Sequence, residues 1–306
     1  MPACQPSDAA IESGELAAAL ARALGGEAGR LGRISAVAGG CIDTARIVDL
    51  GERRVFVKIA ADRARLEAEA DGLGALAKCA ALRVPQVLGI EDLDGAGRTV
   101  LVLEFLPLSP QGDEAALGHA VAELHRQCGP AFGWGRDNFI GATPQPNGWS
   151  DDWPAFFVDR RLRPQLRWAV AGGAAALAPL AEPLLAAVPA LLADRQPPTS
   201  LLHGDLWRGN VGFVAGQPAL FDPATHYGDH EADLAMSELF GGFPARFYAA
   251  YREVWPPAAG HELRRDLYAL YHILNHFNLF GGAYAEQARR LIVRLLGDRG
   301  HRPASR

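Results

Sequence analysis

The stretch LLHGDLWRGNVGFVAGQPALFDPA (residues 201–224) decides how the chain is read. Two short apolar runs, VGFV (211–214) and ALFD (219–222), flank a turn around Gly216, which is the pattern of a β-hairpin. Asn210 stands at the entrance of the first strand and Asp222 at the exit of the second. Antiparallel pairing is therefore expected to bring their side chains together across twelve residues of sequence. An amide oxygen and a carboxylate form a hard oxygen pair suited to Mg2+, which keeps waters and takes its remaining ligands from substrate phosphates. Asp205, five residues before Asn210 on the preceding loop, is expected to face the same site and accept a proton. Taken singly, Asp205 is a turn cap and Asn210 a hairpin opener; the three residues together carry the chemical reading. His203, held before Gly204 on an apolar lead-in, reads as a buried hydrogen-bonding post rather than a base.

Upstream, VFVKIA places Lys58 among Val55, Val57 and Ile59 on a strand apolar on both faces, and a buried charge needs a partner. The helix expected from about Asp62 to Lys78 sets Leu66, Glu69, Leu73 and Leu76 on one stripe, with Arg63, Glu67 and Asp71 on the solvent side. Glu69 is thus the acid on the buried face. The pair reads as a structural salt bridge or, beside a phosphate site, as a lysine holding nucleotide phosphates and oriented by a glutamate. AGGCIDTA (38–45) would turn between strands at Gly39 and Gly40 and let backbone N–H groups approach a polyanion; alone it is an ordinary hairpin.

Working outward, a helix over Ala9 to Leu24 precedes strands in ISAVAGG, CIDTARIVDL and RRVFVKIA, and two more strands follow in VPQVLGIED and RTVLVLEFL. From Pro107 onward helices dominate, apart from the hairpin. The expected class is α+β: a sheet-rich nucleotide-binding lobe at 1–104 and a mainly helical catalytic and substrate-binding lobe at 105–306 that carries the metal-site hairpin.

Composition narrows the classes. The length of 306 residues rules out a small disulfide-stapled scaffold, and with 21% charged, 49% hydrophobic and a net charge of −5 neither disorder nor a polybasic nucleic-acid surface is suggested. Only Lys58 and Lys78 among 30 basic residues are lysines, and Asn occurs five times, which suggests a GC-rich codon bias and lends weight to the Lys and Asn that remain. Cys4, Cys41, Cys79 and Cys128 form no CxxC pair, so a reducing cytosol fits best. MPACQPSDAAIE shows no signal-peptide pattern, and the apolar tract 169–193 is cut by Pro179, Glu182, Pro183 and Pro189, so a soluble helical region is expected there rather than a span. HILNH (272–276) has metal-pair spacing but no acid after its first His, and reads as core or pocket lining. Trp207, next to Asp205, is either core or a substrate-stacking wall.

Glycine turn, strand lysine, helix glutamate, the VLVLEFL strand, HGDLWRGN and FDPA together resemble the protein-kinase-like fold of small-molecule kinases. HGD in place of HRD and FDP in place of DFG point to its aminoglycoside and choline kinase side. GGCIDTA, FGWGRDNFIGATPQPN (132–147), DWPAFFVDRRLRPQL, HGDLWRGN, FDPATHYGDHEADLAM and LNHFNLFGGAY look like the fructosamine-3-kinase (ketosamine-3-kinase) family, over about residues 10–296. Asp43, where Asn is more usual, and Arg208, where a small residue is common, depart from the pattern.

The resemblance implies Asp205 as catalytic base and Asn210 and Asp222 as Mg2+ ligands. It implies Gly39, Gly40, Lys58 and Glu69 around the ATP phosphates, the backbone of Glu104, Phe105 and Leu106 around adenine, and Trp207 and His276 lining the sugar pocket. The implied activity is ATP-dependent phosphorylation of the 3-hydroxyl of a free or protein-bound ketosamine, after which the unstable 3-phosphate releases the amine. Other readings are a kinase of another small hydroxyl substrate, such as an aminoglycoside or choline, and a nucleotide-binding pseudokinase, against which intact Lys58, Asp205, Asn210 and Asp222 speak. No nucleic-acid or membrane partner is expected, and the setting is cytoplasmic. Trp207, Arg208, His276 and Phe277 suit a sugar ring with one amine, with Arg208 repelling polycations. Cys41, inside the phosphate loop, is expected to be oxidation-sensitive and to permit a redox-dependent dimer.

Overall fold

The computed structural model describes residues 13–26, 31–37, 44–93 and 97–297. In chain order these form α1 (Ser13–Ala23), β1 (Ile34–Ala36), β2 (Thr44–Asp49), β3 (Arg54–Ala60), α2 (Arg63–Leu76), β4 (Val87–Leu93) and β5 (Arg98–Glu104). There follow α3 (Glu114–His125), β6 (Asn138–Ile140), β7 (Thr143–Gln145), α4 (Trp153–Phe156), α5 (Arg163–Ala171), α6 (Ala178–Leu191) and β8 (Ser200–Leu202). The chain continues through β9 (Val211–Val214), β10 (Gln217–Leu220), β11 (His226–Gly228), α7 (Glu231–Ser237), α8 (Ala245–Val254), α9 (His261–Phe280) and α10 (Tyr284–Gly297). Sheet dominates the N-terminal part and helix the C-terminal part, as the expected α+β class requires.

The chain divides into two compact units, Met1–Gly112 with Gly212–Asp222, and Asp113–Val211 with Pro223–Arg306. In the first, five strands form an antiparallel sheet in the order β1-β2-β3-β5-β4. Alternation along β3 sets its two faces: Val55, Val57 and Ile59 join Leu16, Ala19 and Leu20 of α1 in one core, and Lys58, out of phase, projects from the other face. There α2 offers Glu69. Asp62 caps α2 by accepting from the Ala64 N–H at 3.0 Å, worth about 1 kcal/mol. Leu66, Leu73 and Leu76 of the expected stripe are all buried, and truncating one to Ala would cost about 2–5 kcal/mol.

The β9–β10 hairpin belongs to this unit because backbone bonds tie both strands to it. Ser109 and Phe213 exchange N–H···O bonds of 2.8 and 2.9 Å; Arg83 donates to the Pro218 carbonyl at 2.7 Å and accepts from Leu220 at 3.0 Å. A single cut between residues 104 and 105 would instead group the hairpin with the helices. Its turn carries Ala215 and Gly216 at φ 50° and 86°, the two positive values that a type I′ turn needs to match strand twist.

In the second unit, Leu267, Tyr268, Leu270, Tyr271, Ile273 and Leu274 of α9 are buried in one cluster with Leu184, Leu185 and Val188 of α6 and Ile292 and Leu295 of α10. The alanine-rich tract is helical here, with Pro183 and Pro189 inside α6. Among the described residues no helix is long and apolar enough to cross a membrane. Strand β8 pairs antiparallel with β11, Leu202 opposite His226 and Ser200 opposite Gly228. This ladder fixes where the chain enters the loop at His203 and where it resumes after Thr225.

Candidate active site

In the first unit Lys58 is 9% exposed, and its ammonium donates to Glu69 Oε1 at 2.7 Å and to Asp222 Oδ1. Burial alone would release its proton; Glu69 and then Asp222 outweigh that, and the pKa rises above its ordinary value. Removing one carboxylate would leave a buried cation short of compensation, which is why such clusters are costly to break. Asp222 follows β10 in a left-handed conformation, φ 56°, with its side chain 44% exposed. Its carboxylate thus meets a cation on one side and solvent on the other. Glu104 ends β5 with its N–H on the Gln86 carbonyl at 2.9 Å and its carboxylate on Arg83; Arg54 lies 4.1 Å over the Phe105 ring, and Leu106 is buried. Gly39, Gly40, Cys41 and Asp43 lie outside the described residues.

In the second unit the loop 203–210 is held through its backbone. The His203 and Gly204 N–H groups donate to Asp233 Oδ2 and Oδ1 at 2.7 and 2.9 Å. Gly204 has φ 83°, and a Cβ there would lie 2.0 Å from the Ala224 carbonyl oxygen, so no other residue fits between His203 and Asp205. The Asp205 N–H donates to His203 Nδ1 at 3.2 Å, so His203 is the buried post expected. Asn210 Nδ2 donates to both the carbonyl and Oδ2 of Asp205, at 2.9 and 3.0 Å.

Asp233 is the end of a longer chain. Arg195 can only donate, so His230 Nε2, 2.9 Å from Arg195 Nη2, must accept. Burial pushes His230 down to about 3, so the ring is neutral and its single proton sits on Nδ1, donated to the Tyr251 oxygen at 2.9 Å. Burial also raises the Tyr251 pKa well above its ordinary value, so its O–H is retained and donates to His125 Nδ1 at 2.7 Å. His125 Nε2–H then donates to Asp233 Oδ2 at 3.1 Å. Burial would raise the Asp233 pKa, but His125, His203 and the Gly204 N–H outweigh it and keep the carboxyl ionised. Arg195 is itself fixed by Asp229, at 2.8 and 2.6 Å, and the Tyr268 hydroxyl donates to the same carboxylate at 2.8 Å. Every proton in the relay points from guanidinium to carboxylate, and the two histidines are opposite tautomers.

Trp207 is exposed, with its ring centroid 6.4 Å from Phe240 in a T-shaped pair; Phe240 lies 4.5 Å from His276, and His276 5.7 Å from Phe280 and 5.3 Å from Tyr284. Trp207 and His276 therefore share one aromatic row, with Phe240 between them. His276 Nδ1–H donates to the His272 carbonyl at 2.8 Å, and burial lowers its pKa despite that bond. Two expectations need correcting. Arg208 pairs with Glu114 at 2.8 Å, so its charge is already answered and does not act alone against a polycation. Phe277 packs against the helical core instead of joining the row.

Asp233, His125, Tyr251, His230 and Phe240 escape the sequence reading. The visible sign for Asp233 was a carboxylate on an apolar helical face, EADLAM; positive φ at Phe240 has no sequence sign beyond the following Gly-Gly.

The Fructosamine kinase family model matches residues 15–298. A probable ketoamine kinase of Synechocystis is 45% identical over 277 residues, covering 89% of this chain and 92% of that one. The chloroplastic protein-ribulosamine 3-kinase of Arabidopsis thaliana is 39% identical, over 87% and 83% of the two chains. A crystal structure bearing the fructosamine-3-kinase name, from Haemophilus somnus, superposes with a TM-score of 0.83 at 30% identity, covering 92% of this chain and 96% of that one. The chain belongs to the fructosamine kinase family.

Proposed function

We propose that this protein is an ATP- and Mg2+-dependent kinase that phosphorylates the 3-hydroxyl of ketosamines and so starts their deglycation. The observation that carries the reading is the Lys58 ammonium held by Glu69 and Asp222, a buried cation with both carboxylates of a phosphate-handling site. Lys58, oriented by Glu69, neutralises the nucleotide phosphates, with Gly39 and Gly40 supplying backbone donors and Glu104, Phe105 and Leu106 the adenine contacts. Asp205 accepts the proton of the sugar hydroxyl as that oxygen bonds to the γ-phosphorus and the bond to the ADP oxygen breaks. Asn210, through the amide that bridges to Asp205, keeps the carboxylate turned to its task.

An amide oxygen from Asn210 and a carboxylate from Asp222 are hard donors of the kind Mg2+ takes. When bound, the ion would screen phosphate charge; Asn210 and Asp222 are the residues assigned to it. Trp207 and His276 wall the sugar. Preference for ketosamines over polycationic antibiotics then rests on uncharged rings and not on Arg208. The setting is cytoplasmic, and oxidation of Cys41, with any dimer it forms, belongs to the same reading.

ADP release with Mg·ATP and ribulose-, erythrulose- or fructose-derived amines tests this. Turnover of at least one ketosamine, with kanamycin and choline poor, is expected. Efficient kanamycin turnover without any ketosamine turnover would replace the substrate class, and no ADP release at all would leave the pseudokinase reading.

A further inference from the structure

Phe240 has a backbone φ of 56°, the left-handed region in which a bulky side chain crowds its own backbone. Gly241 and Gly242 follow at 100° and 70°, so three consecutive residues are left-handed and only the first carries a side chain. That side chain is a ring left 44% exposed. Folding explains neither feature, because glycine at 240 would complete the turn without strain and without wetting an aromatic.

The conformation is imposed from outside. The Tyr248 hydroxyl donates to the Ser237 carbonyl at 3.0 Å and accepts the Phe243 N–H at 3.1 Å, clamping both ends of the segment. So held, the Phe240 ring fills the gap between Trp207 and His276. Trp207 is constrained as well: its ring lies against Gly209, where a Cβ would come within 2.3 Å of it. Strain maintained at an exposed aromatic, between two residues assigned to the acceptor, points from the outlier to a role.

We propose that Phe240 is a specificity-determining residue for the acceptor, joining Trp207 and His276 into one aromatic face that takes the C–H face of the ketosamine sugar. This rests on the ketosamine reading given above. An uncharged face of this kind holds a sugar ring by stacking and offers a polycation no counter-charge.

Wild type, Phe240→Gly and Phe240→Ala are compared by steady-state kinetics with a ribulosamine as varied acceptor, and by thermal melting. The acceptor KM should rise about tenfold in both variants, while the ATP KM stays within about twofold. The Gly variant should melt above the Ala variant, since only glycine relaxes at positive φ. An acceptor KM within about twofold of wild type in both variants overturns the assignment while the ketosamine reading stands. A wild type that turns over no ketosamine overturns that reading, and the role of Phe240 with it, before any variant is compared.

Discussion

The two units hold their key charges by different means. In the first, Lys58 reaches its partners through its own side chain, and the cation is permanent: both lysines of the chain lie in this unit. In the second, Asp205 is positioned through the two backbone N–H groups just before it, held by a carboxylate that His125 in turn fixes. All nine histidines fall within that unit's sequence. A side-chain pair tolerates changes around it. A backbone anchor transmits whatever happens to its network.

The largest expected effect isolates the chemistry from its support. Asp205→Ala should lower kcat by about 10²- to 10⁴-fold while the melting temperature stays near wild type, because Asp205 holds none of the buried relay. Wild-type turnover in this variant would show that the wrong carboxylate carries the reaction.

Acidification should separate the units. Burial holds His230 and His272 at about 3 and His226 well below its usual value. All three are neutral in the fold but take protons near pH 6.5 when unfolded. Stability from them is therefore complete above about pH 6.5 and lost as pH falls toward 3. Lys58, with a raised pKa, stays charged throughout this range. Hydrogen exchange at pH 5 against pH 8 should show protection falling in 113–211 and 223–297 while β2, β3 and β5 change little. Equal loss in both units would contradict the contrast.

Tyr251→Phe is a smaller perturbation of the same network. It leaves His230 Nδ1–H and His125 Nδ1 without the hydroxyl that joined them, at a cost of about 1–3 kcal/mol in urea unfolding. Its sharper companion is ¹⁵N NMR of histidine in the wild type. The spectrum should show His125 as the Nε2–H tautomer and His230 as Nδ1–H; identical tautomers would reverse the relay.

How much the sequence discloses follows the same divide. The hairpin, the Lys58 strand and the Glu69 stripe are visible because side-chain periodicity and turn residues encode them. Asp233 is not, because it binds backbone N–H groups, and these are the same at every residue. The pairing of Arg208 is hidden for a related reason: Glu114, which answers its charge, lies 94 residues away in sequence. Phe240 stays hidden because its distinguishing property is a dihedral angle, and nothing in the residue type announces it.

The most direct test of the account follows the phosphate itself. ³¹P NMR of a reaction containing the wild type, Mg·ATP and a ribulosamine should show loss of the γ-phosphate resonance and growth of a phosphomonoester coupled to H-3 of the sugar. The 3-deoxy analogue should give none. A phosphomonoester at another hydroxyl, or equal turnover of the 3-deoxy compound, would contradict it.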